Sequence, residues 1–197
     1  KILGYLIMYK YEFLVEITAK CKADIKGGGF VEKDGKLFLL ESAQVNSEDI
    51  LRFQNPNNFP YFNTNNCWIH LPTLFEKLKD GFLTMPLILN KKKVDHFSVI
   101  QFEFAMAAAI SNFNHSHLVV VDRSRFIPVK HTSDLFLLQS DFFSIDDNGF
   151  VLSKDSYMNG VFPKVTLGKE YVSINQYESL CSNIPSMTEC SSLIVEG

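Results

Sequence analysis

The run from Tyr11 to Thr18, YEFLVEIT, is dense in aromatic and β-branched residues and reads as a buried strand too apolar for an exposed edge. Leu118 to Val121 repeats the pattern as a short, continuous apolar strand, and Met85 to Leu89 reads as another. Between them lie helical patterns. Ile2, Leu3, Leu6 and Ile7 form a stripe without a preceding cap, and Leu71, Leu74, Phe75 and Leu78 recur at helical spacing between Pro72 and Gly81. Phe102, Met106, Ala109, Ile110 and Phe113 predict the apolar face of a further helix. After Thr132 or Ser133 as a cap, Leu135, Leu138 and Phe142 predict the next, and a last helix is expected over about Ser173–Cys181. Strands alternating with helices argue for an α/β sheet with helices on both faces, whose ligands gather at the carboxyl ends of the strands.

Shorter signals fill the connections. Lys20 to Gly29 is a loop whose triple glycine, Gly27-Gly28-Gly29, permits positive φ or close backbone approach to a ligand; as a phosphate loop it lacks the lysine and hydroxyl that should follow. Phe30 to Val45 reads as a hairpin turning at Asp34-Gly35. Its second arm carries Glu41 inside the apolar LFLLESAQV, where a carboxylate either faces solvent or serves a site. Ser47 is expected to cap a short helix through Phe53, and Gln54 to Pro60 is a polar loop. Asn148-Gly149 and Asn159-Gly160 flank Phe150 to Ser156 as turn signals of a hairpin or surface ribbon, and Met187 to Val195 reads as extended.

Two stretches carry chemistry. Tyr61 to Leu71, YFNTNNCWIHL, holds Asn63, Asn65 and Asn66; asparagines hydrogen-bond their own backbone, so the stretch predicts an exposed turn. Their amides also suit a hydroxyl-rich ligand. Downstream, Arg123, Arg125 and Lys130 flank the apolar Phe126-Ile127-Pro128-Val129. Such a cluster is either a solvated loop or an anion site, and a lysine just before a helix start argues for phosphate.

A net charge of −3 and a pI near 6.0 leave no electrostatic footprint for nucleic acid or an anionic membrane. Lys91-Lys92-Lys93 reads as a solvated turn. No apolar run reaches membrane-span length and no signal peptide is visible, so a cytoplasmic protein is expected. Cys21, Cys67, Cys181 and Cys190 lack metal-ligand spacing and read as reduced thiols. His115 and His117 alternate as strand neighbours, either a polar loop entering a strand or the start of a metal site without its other ligands. The chain opens on Lys1 and runs straight into a helix, which suggests trimming from something longer.

In this order, ADIKGG, LLESAQV, FNTNNCWIHL, VIQFEFAMAAAI and RSRFIPVKHTSDL resemble the eukaryotic UDP-glucose pyrophosphorylase family over essentially the whole chain. The resemblance implies part of a Rossmann-like nucleotidyltransferase domain with a mixed central sheet and helices on both faces. Residues 1–186 would be its C-terminal, sugar-binding portion, and residues 187–197 the start of a strand leading to an absent β-helix domain. The family's nucleotide loop and metal aspartate lie upstream of the first block. Enzymes of this kind join UTP and glucose 1-phosphate into UDP-glucose and pyrophosphate with Mg²⁺. Matched residue by residue, Lys130 corresponds to the catalytic lysine, Asn63, Asn65 and Glu41 to sugar contacts, Gly27 or Gly28 to a backbone sugar contact, and Phe126 to the nucleotide-sugar pocket.

Ala19, Phe104, Ala107 and Asp122 depart from the family pattern without removing a matched contact. FNTNNCW and LLESAQV resemble the glucose branch more than the UDP-N-acetylhexosamine branch. The alternatives are a noncatalytic sugar- or protein-binding module of shared ancestry, and a purely structural domain. A chain without the nucleotide half is expected to be inactive alone, and to self-associate unless Ile2 to Tyr9 covers the strand surface.

Overall fold

Strand β1 (Phe13–Ala19) runs through the middle of a three-stranded mixed sheet, antiparallel to one neighbour and parallel to the other. The computed structural model describes residues 1–20, 24, 27–79, 81–147, 149, 151–153 and 162–196, and the chain divides into two units, Lys1–Val121 and Asp122–Gly197.

In the first unit, α1 (Ile2–Tyr9) ends on Lys10 in the left-handed conformation and leads into β1. From Phe13 to Thr18 every residue of β1 is buried, as the aromatic and β-branched run demands. A hairpin of β2 (Gly29–Lys33) and β3 (Lys36–Leu40) follows. Asp34 and Gly35 both take positive φ, the requirement of the two-residue turn that their sequence signalled. The strand stops at Leu40, and Ser42–Gln44 forms a 3₁₀ turn, so Glu41 heads that turn rather than lying inside a strand. Next come α2 (Ile50–Gln54), which starts after Asp49 and not at Ser47, and β4 (Tyr61–Ile69), antiparallel to β1.

After α3 (Leu71–Leu78), which begins with Pro72 as expected, β5 (Ile88–Val94) and β6 (Phe97–Glu103) form a second hairpin. Here the helix expected from Phe102 to Phe113 is overturned. Val99, Ile100 and Phe102 belong to a strand, and Met106–Asn112 is a 3₁₀ helix. Its tight turns are held by short-range bonds, Ser111 Oγ donating to Ala108 O at 3.1 Å and Asn112 Nδ2 to Ala109 O at 3.0 Å, which compete with α-helical pairing. Ala107 through Ile110 are buried with Phe13, Val15, Leu39 and Phe113 in the core of this unit. Lys91, Lys92 and Lys93 are solvated, but on β5 and not in a turn. Strand β7 (Ser116–Val120) completes the order β4-β1-β7, half-buried rather than buried as its apolar sequence suggested.

The apolar run of β1 is therefore no edge. The surface that α1 leaves is another matter: Leu6 is buried, whereas Leu3, Ile7, Met8 and Tyr9 are exposed.

The second unit holds α4 (Thr132–Gln139), β8 (Phe143–Ile145) antiparallel to β9 (Val151–Ser153), β10 (Lys164–Leu167), α5 (Ile174–Leu180) and β11 (Ser192–Val195) parallel to β10. Phe136, Leu137, Phe142, Tyr177 and Met187 form its core. The interior face of α4 is thus Phe136 and Leu137, not Leu138. Its four apolar residues, Leu135 to Leu138, are consecutive and so point to every side of one turn, and packing rather than periodicity selects the buried side. His131, not Thr132 or Ser133, precedes its first turn. The Asn159-Gly160 turn signal and Asn148 lie outside the described residues, as do Cys21 and Lys26; Cys67, Cys181 and Cys190 are free thiols. Among the described residues no helix is long and apolar enough to cross a membrane.

His115 lies in the loop before β7 and His117 within it, and both meet the first helix and its exit. His115 Nδ1 is 2.9 Å from Lys10 O, His117 Nε2 is 3.4 Å from Tyr5 Oη, and the Tyr11 ring stacks on His117 with centroids 4.8 Å apart. Desolvation, with the neighbouring His115 second, holds His117 below the usual imidazole value of 6.5. Because the folded-state value lies below the unfolded one, its contribution is whole above the unfolded value of 6.5 and is lost as pH falls from there through the folded value. Thermal unfolding of the full-length gene product is expected to weaken from about pH 7 to about pH 5, with a shallower slope in His117→Phe. An unchanged slope would remove His117 from the account.

Candidate functional site

The asparagine stretch is a strand with a bulge, not the expected turn. Strand β4 pairs with β1 at Ile17↔Asn63 and again at Val15↔Cys67, so Thr64, Asn65 and Asn66 stand opposite the single residue Glu16. Excess residues on one strand must be accommodated by a local departure from extended backbone, in one class of bulge through a residue at positive φ. Asn65 supplies it with φ 63°, a conformation asparagine tolerates better than most residues. The local bonding that predicted a turn is present, but inside the ladder. Asn65 N donates to Asn63 Oδ1 at 3.0 Å, and Asn66 N donates to Thr64 Oγ1 at 3.3 Å. As a result Asn63 is buried, at 8% exposure, and Asn65 is exposed.

The glycine arm closes on the same strand. Asn63 N donates to Gly28 O at 3.0 Å, and Gly28 itself is buried. A Cβ on Gly27 would sit 1.7 Å from Phe62 Cε2, and one on Gly28 would sit 2.5 Å from Glu41 Oε1. Both glycines are there for close approach rather than for φ. Glu41 N donates to Gln44 Oε1 at 2.9 Å, which anchors the turn that carries the carboxylate. Gly27, Gly28, Glu41, Phe62 and Asn63 are thus brought together, with Asn65 two residues on along β4. Nearby, Lys20 Nζ donates to Phe53 O at 3.3 Å and lies 5.0 Å from the Phe53 ring centroid. Burial lowers its pKa, opposed by Asp24.

This cluster offers a carboxylate acceptor, the exposed Asn65 amide as donor and acceptor, and glycine backbone packed closely on Phe62 and Glu41. Such a set pairs with hydroxyls and supplies no nucleophile. Sequence reasoning assigned nothing to Phe62, Thr64 or Trp68. The one signal pointing to Phe62 was its place beside the asparagines.

In the second unit, Asp122 Oδ1 accepts Ser124 N at 2.9 Å and caps the 3₁₀ turn Arg123–Arg125. Hydrogen bonds from Ser124 hold its pKa down. This departure from the family pattern therefore has a local role. Phe126 follows the turn, half-buried, with the Arg123 guanidinium 5.3 Å from its ring centroid. Lys130 is exposed and lines a cavity of about 530 Å³ with His131, Thr132, Ser133 and Ile174. Asp134 Oδ2 accepts both Lys130 N and His131 N at 2.8 Å. The anion expected beside the helix start is thus already supplied by Asp134, so this placement alone no longer argues for phosphate. Among the described residues no group of three or more His, Cys, Asp or Glu is arranged to hold a metal ion.

The family described as UTP–glucose-1-phosphate uridylyltransferase matches residues 1–197. The enzyme of that name from Pyrus pyrifolia is 42% identical over 197 residues, and the one from Encephalitozoon cuniculi 42% over 198; each covers 100% of this chain, which spans 42% and 40% of their respective lengths. A variant of UDP-glucose pyrophosphorylase from Leishmania major, solved in complex with UDP-glucose, superposes with a TM-score of 0.74 at 37% identity, covering 100% of this chain and 45% of its own. The chain therefore spans about two fifths of the relatives it matches.

The two glycines are separable by substitution. Gly27→Ala drives a methyl into an aromatic ring and is expected to cost about 1–3 kcal/mol of stability. Gly28→Ala meets the mobile end of a side chain, so the Glu41 carboxylate moves and stability falls less. Calorimetric unfolding of both variants in the full-length gene product checks the order; equal losses would contradict it.

Proposed function

Because this chain belongs to the UTP–glucose-1-phosphate uridylyltransferase family, we propose that it supplies the sugar-reading half of an enzyme that makes UDP-glucose and pyrophosphate from UTP and glucose 1-phosphate. The observation that carries this reading is the convergence of Gly27, Gly28 and Glu41 on the bulged strand that presents Asn65. The complex of the Leishmania relative with UDP-glucose supports the ligand class.

In this reading Glu41 accepts hydrogen bonds from sugar hydroxyls, Asn63 and Asn65 complete the recognition, and the Gly27–Gly28 backbone lies against the ring. Phe126 lines the nucleotide-sugar pocket. A phosphate oxygen of the sugar phosphate attacks the α-phosphorus of UTP, the new P–O bond forms, and the bond to the departing pyrophosphate breaks. Positioning and charge neutralisation dominate such a reaction. Lys130 offsets the negative charge that grows on the reacting phosphates. Mg²⁺ neutralises phosphate charge when bound; its ligands in this reading come from the nucleotide-binding segment and not from residues 1–197.

Lys130→Ala is expected to lower kcat about 10²-fold in the full-length gene product while glucose 1-phosphate binding changes little, because the charge it meets grows in the transition state. Steady-state kinetics decides this: an effect confined to KM would reassign Lys130 to ground-state binding.

Asn65→Ala and Glu41→Ala are expected to weaken UDP-glucose binding by about 1–3 kcal/mol and UDP binding far less. Titration calorimetry with both ligands is the check. Equal losses would make these residues structural and favour a noncatalytic module.

Residues 1–197 expressed alone are expected to release no pyrophosphate from UTP, Mg²⁺ and glucose 1-phosphate, and to self-associate in sedimentation. The exposed Met8, Phe97 and Phe102 support the second expectation. Turnover at ordinary enzyme rates by this chain would overturn the division of labour.

A further inference from the structure

The mechanism above makes no use of Glu16, a carboxylate in the centre of the middle strand at 1% exposure. A charge so placed is costly unless its oxygens are occupied. Its Oε1 accepts the indole N–H of Trp68 at 2.8 Å, and its carbonyl oxygen accepts Thr64 Oγ1 at 2.7 Å. Trp68 follows the bulge and Thr64 opens it. Glu16 is also the single β1 residue standing between the two registers, Val15↔Cys67 and Ile17↔Asn63, that bracket the bulge. One residue thus grips both ends of the excess segment, with its main chain on one side and its side chain on the other.

We propose that Glu16 is a positioning residue for sugar recognition: through Trp68 and Thr64 it locks the bulge that holds Asn65 at positive φ and so aims the Asn65 amide. The inference rests on the sugar-site reading above. A bulge without this grip has neighbouring registers open to it, because pairing on either side specifies only where the strands resume. The hydroxyl of Thr64 also accepts Asn66 N, so release of Thr64 loosens the segment beyond Asn65 as well. Locking Asn65 before the ligand arrives removes an ordering cost from binding.

The test uses the full-length gene product, with UDP-glucose and UDP as probes. Trp68→Phe keeps the apolar bulk and removes the donor. It is expected to weaken UDP-glucose binding about tenfold and UDP binding less than about twofold. Glu16→Gln keeps an acceptor oxygen for the indole and is expected to retain most of the affinity, whereas Glu16→Leu behaves like Trp68→Phe. In an Asn65→Ala background Trp68→Phe should have no further effect on UDP-glucose, because the residue it aims is already gone. Amide exchange at Asn65 and Asn66 should accelerate in Trp68→Phe while β1 amides stay protected.

Equal losses for the two ligands, or full additivity with Asn65→Ala, would overturn the proposal, since either assigns Trp68 to general stability. Unchanged exchange at Asn65 would overturn it independently, without reference to any ligand. Should Asn65→Ala itself leave UDP-glucose binding intact, the sugar-site reading is what fails. The exchange experiment then still decides whether Glu16 holds the bulge.

Discussion

Strand β1 has to be buried, and the first unit is arranged around that requirement. Six successive residues, Phe13 to Thr18, are withdrawn from water, so the strand needs a ladder on each side and cover on each face. The antiparallel β4 and the parallel β7 supply the ladders. On one face Phe13 and Val15 pack on the 3₁₀ helix of small residues, where Ala107 to Ile110 let the backbone come close. Burial of Glu16 and Thr18 is the cost of this arrangement. Glu16 is answered by Trp68, while the Thr18 hydroxyl has no hydrogen-bond partner among the described residues.

The candidate site follows from the same constraint. With β1 fixed and fully paired, any excess in β4 must be extruded, and the extruded residues are asparagine and threonine, whose side chains can rebuild the lost ladder bonds locally. Asn63 turns inward and spends its oxygen on Asn65 N; Asn65 turns outward. The Gly27–Gly28 backbone can then lie on Phe62 and Glu41 because neither glycine carries a Cβ. The candidate site is therefore attached to the paired centre of the unit and not to a free loop.

The second unit is held differently. Its core gathers around Tyr177, whose hydroxyl donates to Gln139 Oε1 at 2.7 Å, and burial pushes that phenol up to about 12. Asp141 ties the segment before β11 by accepting Met187 N at 2.7 Å and Thr188 Oγ1 at 3.0 Å. Met187 is thereby buried in the unit's core, and the residues after it pair with β10. The hairpin of β5 and β6 is the contrasting case in the first unit: Phe97 is 73% exposed and Phe102 67%, although β6 is paired along its length with β5.

Sequence by itself determined a buried strand within Tyr11–Thr18, begun in the fold at Phe13, the Asp34-Gly35 turn, the helix between Pro72 and Gly81, and the family, because each rests on local residue chemistry or on motifs in fixed order. It also singled out Gly27, Gly28, Glu41, Asn63 and Asn65, which the fold brings to one strand and its neighbours. What only tertiary structure decided was the sign of close contests between local preferences. The asparagine run favours a turn until pairing with β1 makes it a bulge. VIQFEFAMAAAI satisfies helical spacing until β5 offers Phe97–Glu103 a partner and short-range bonds from Ser111 and Asn112 accompany the alanines in a 3₁₀ helix. Glu16 and Glu41 look alike in sequence, each a carboxylate in an apolar run. Only the strand opposite Glu16, and the glycine opposite Glu41, separate a buried grip on the backbone from a carboxylate that can meet a ligand, because the cost of a charge is set by neighbours distant in the chain.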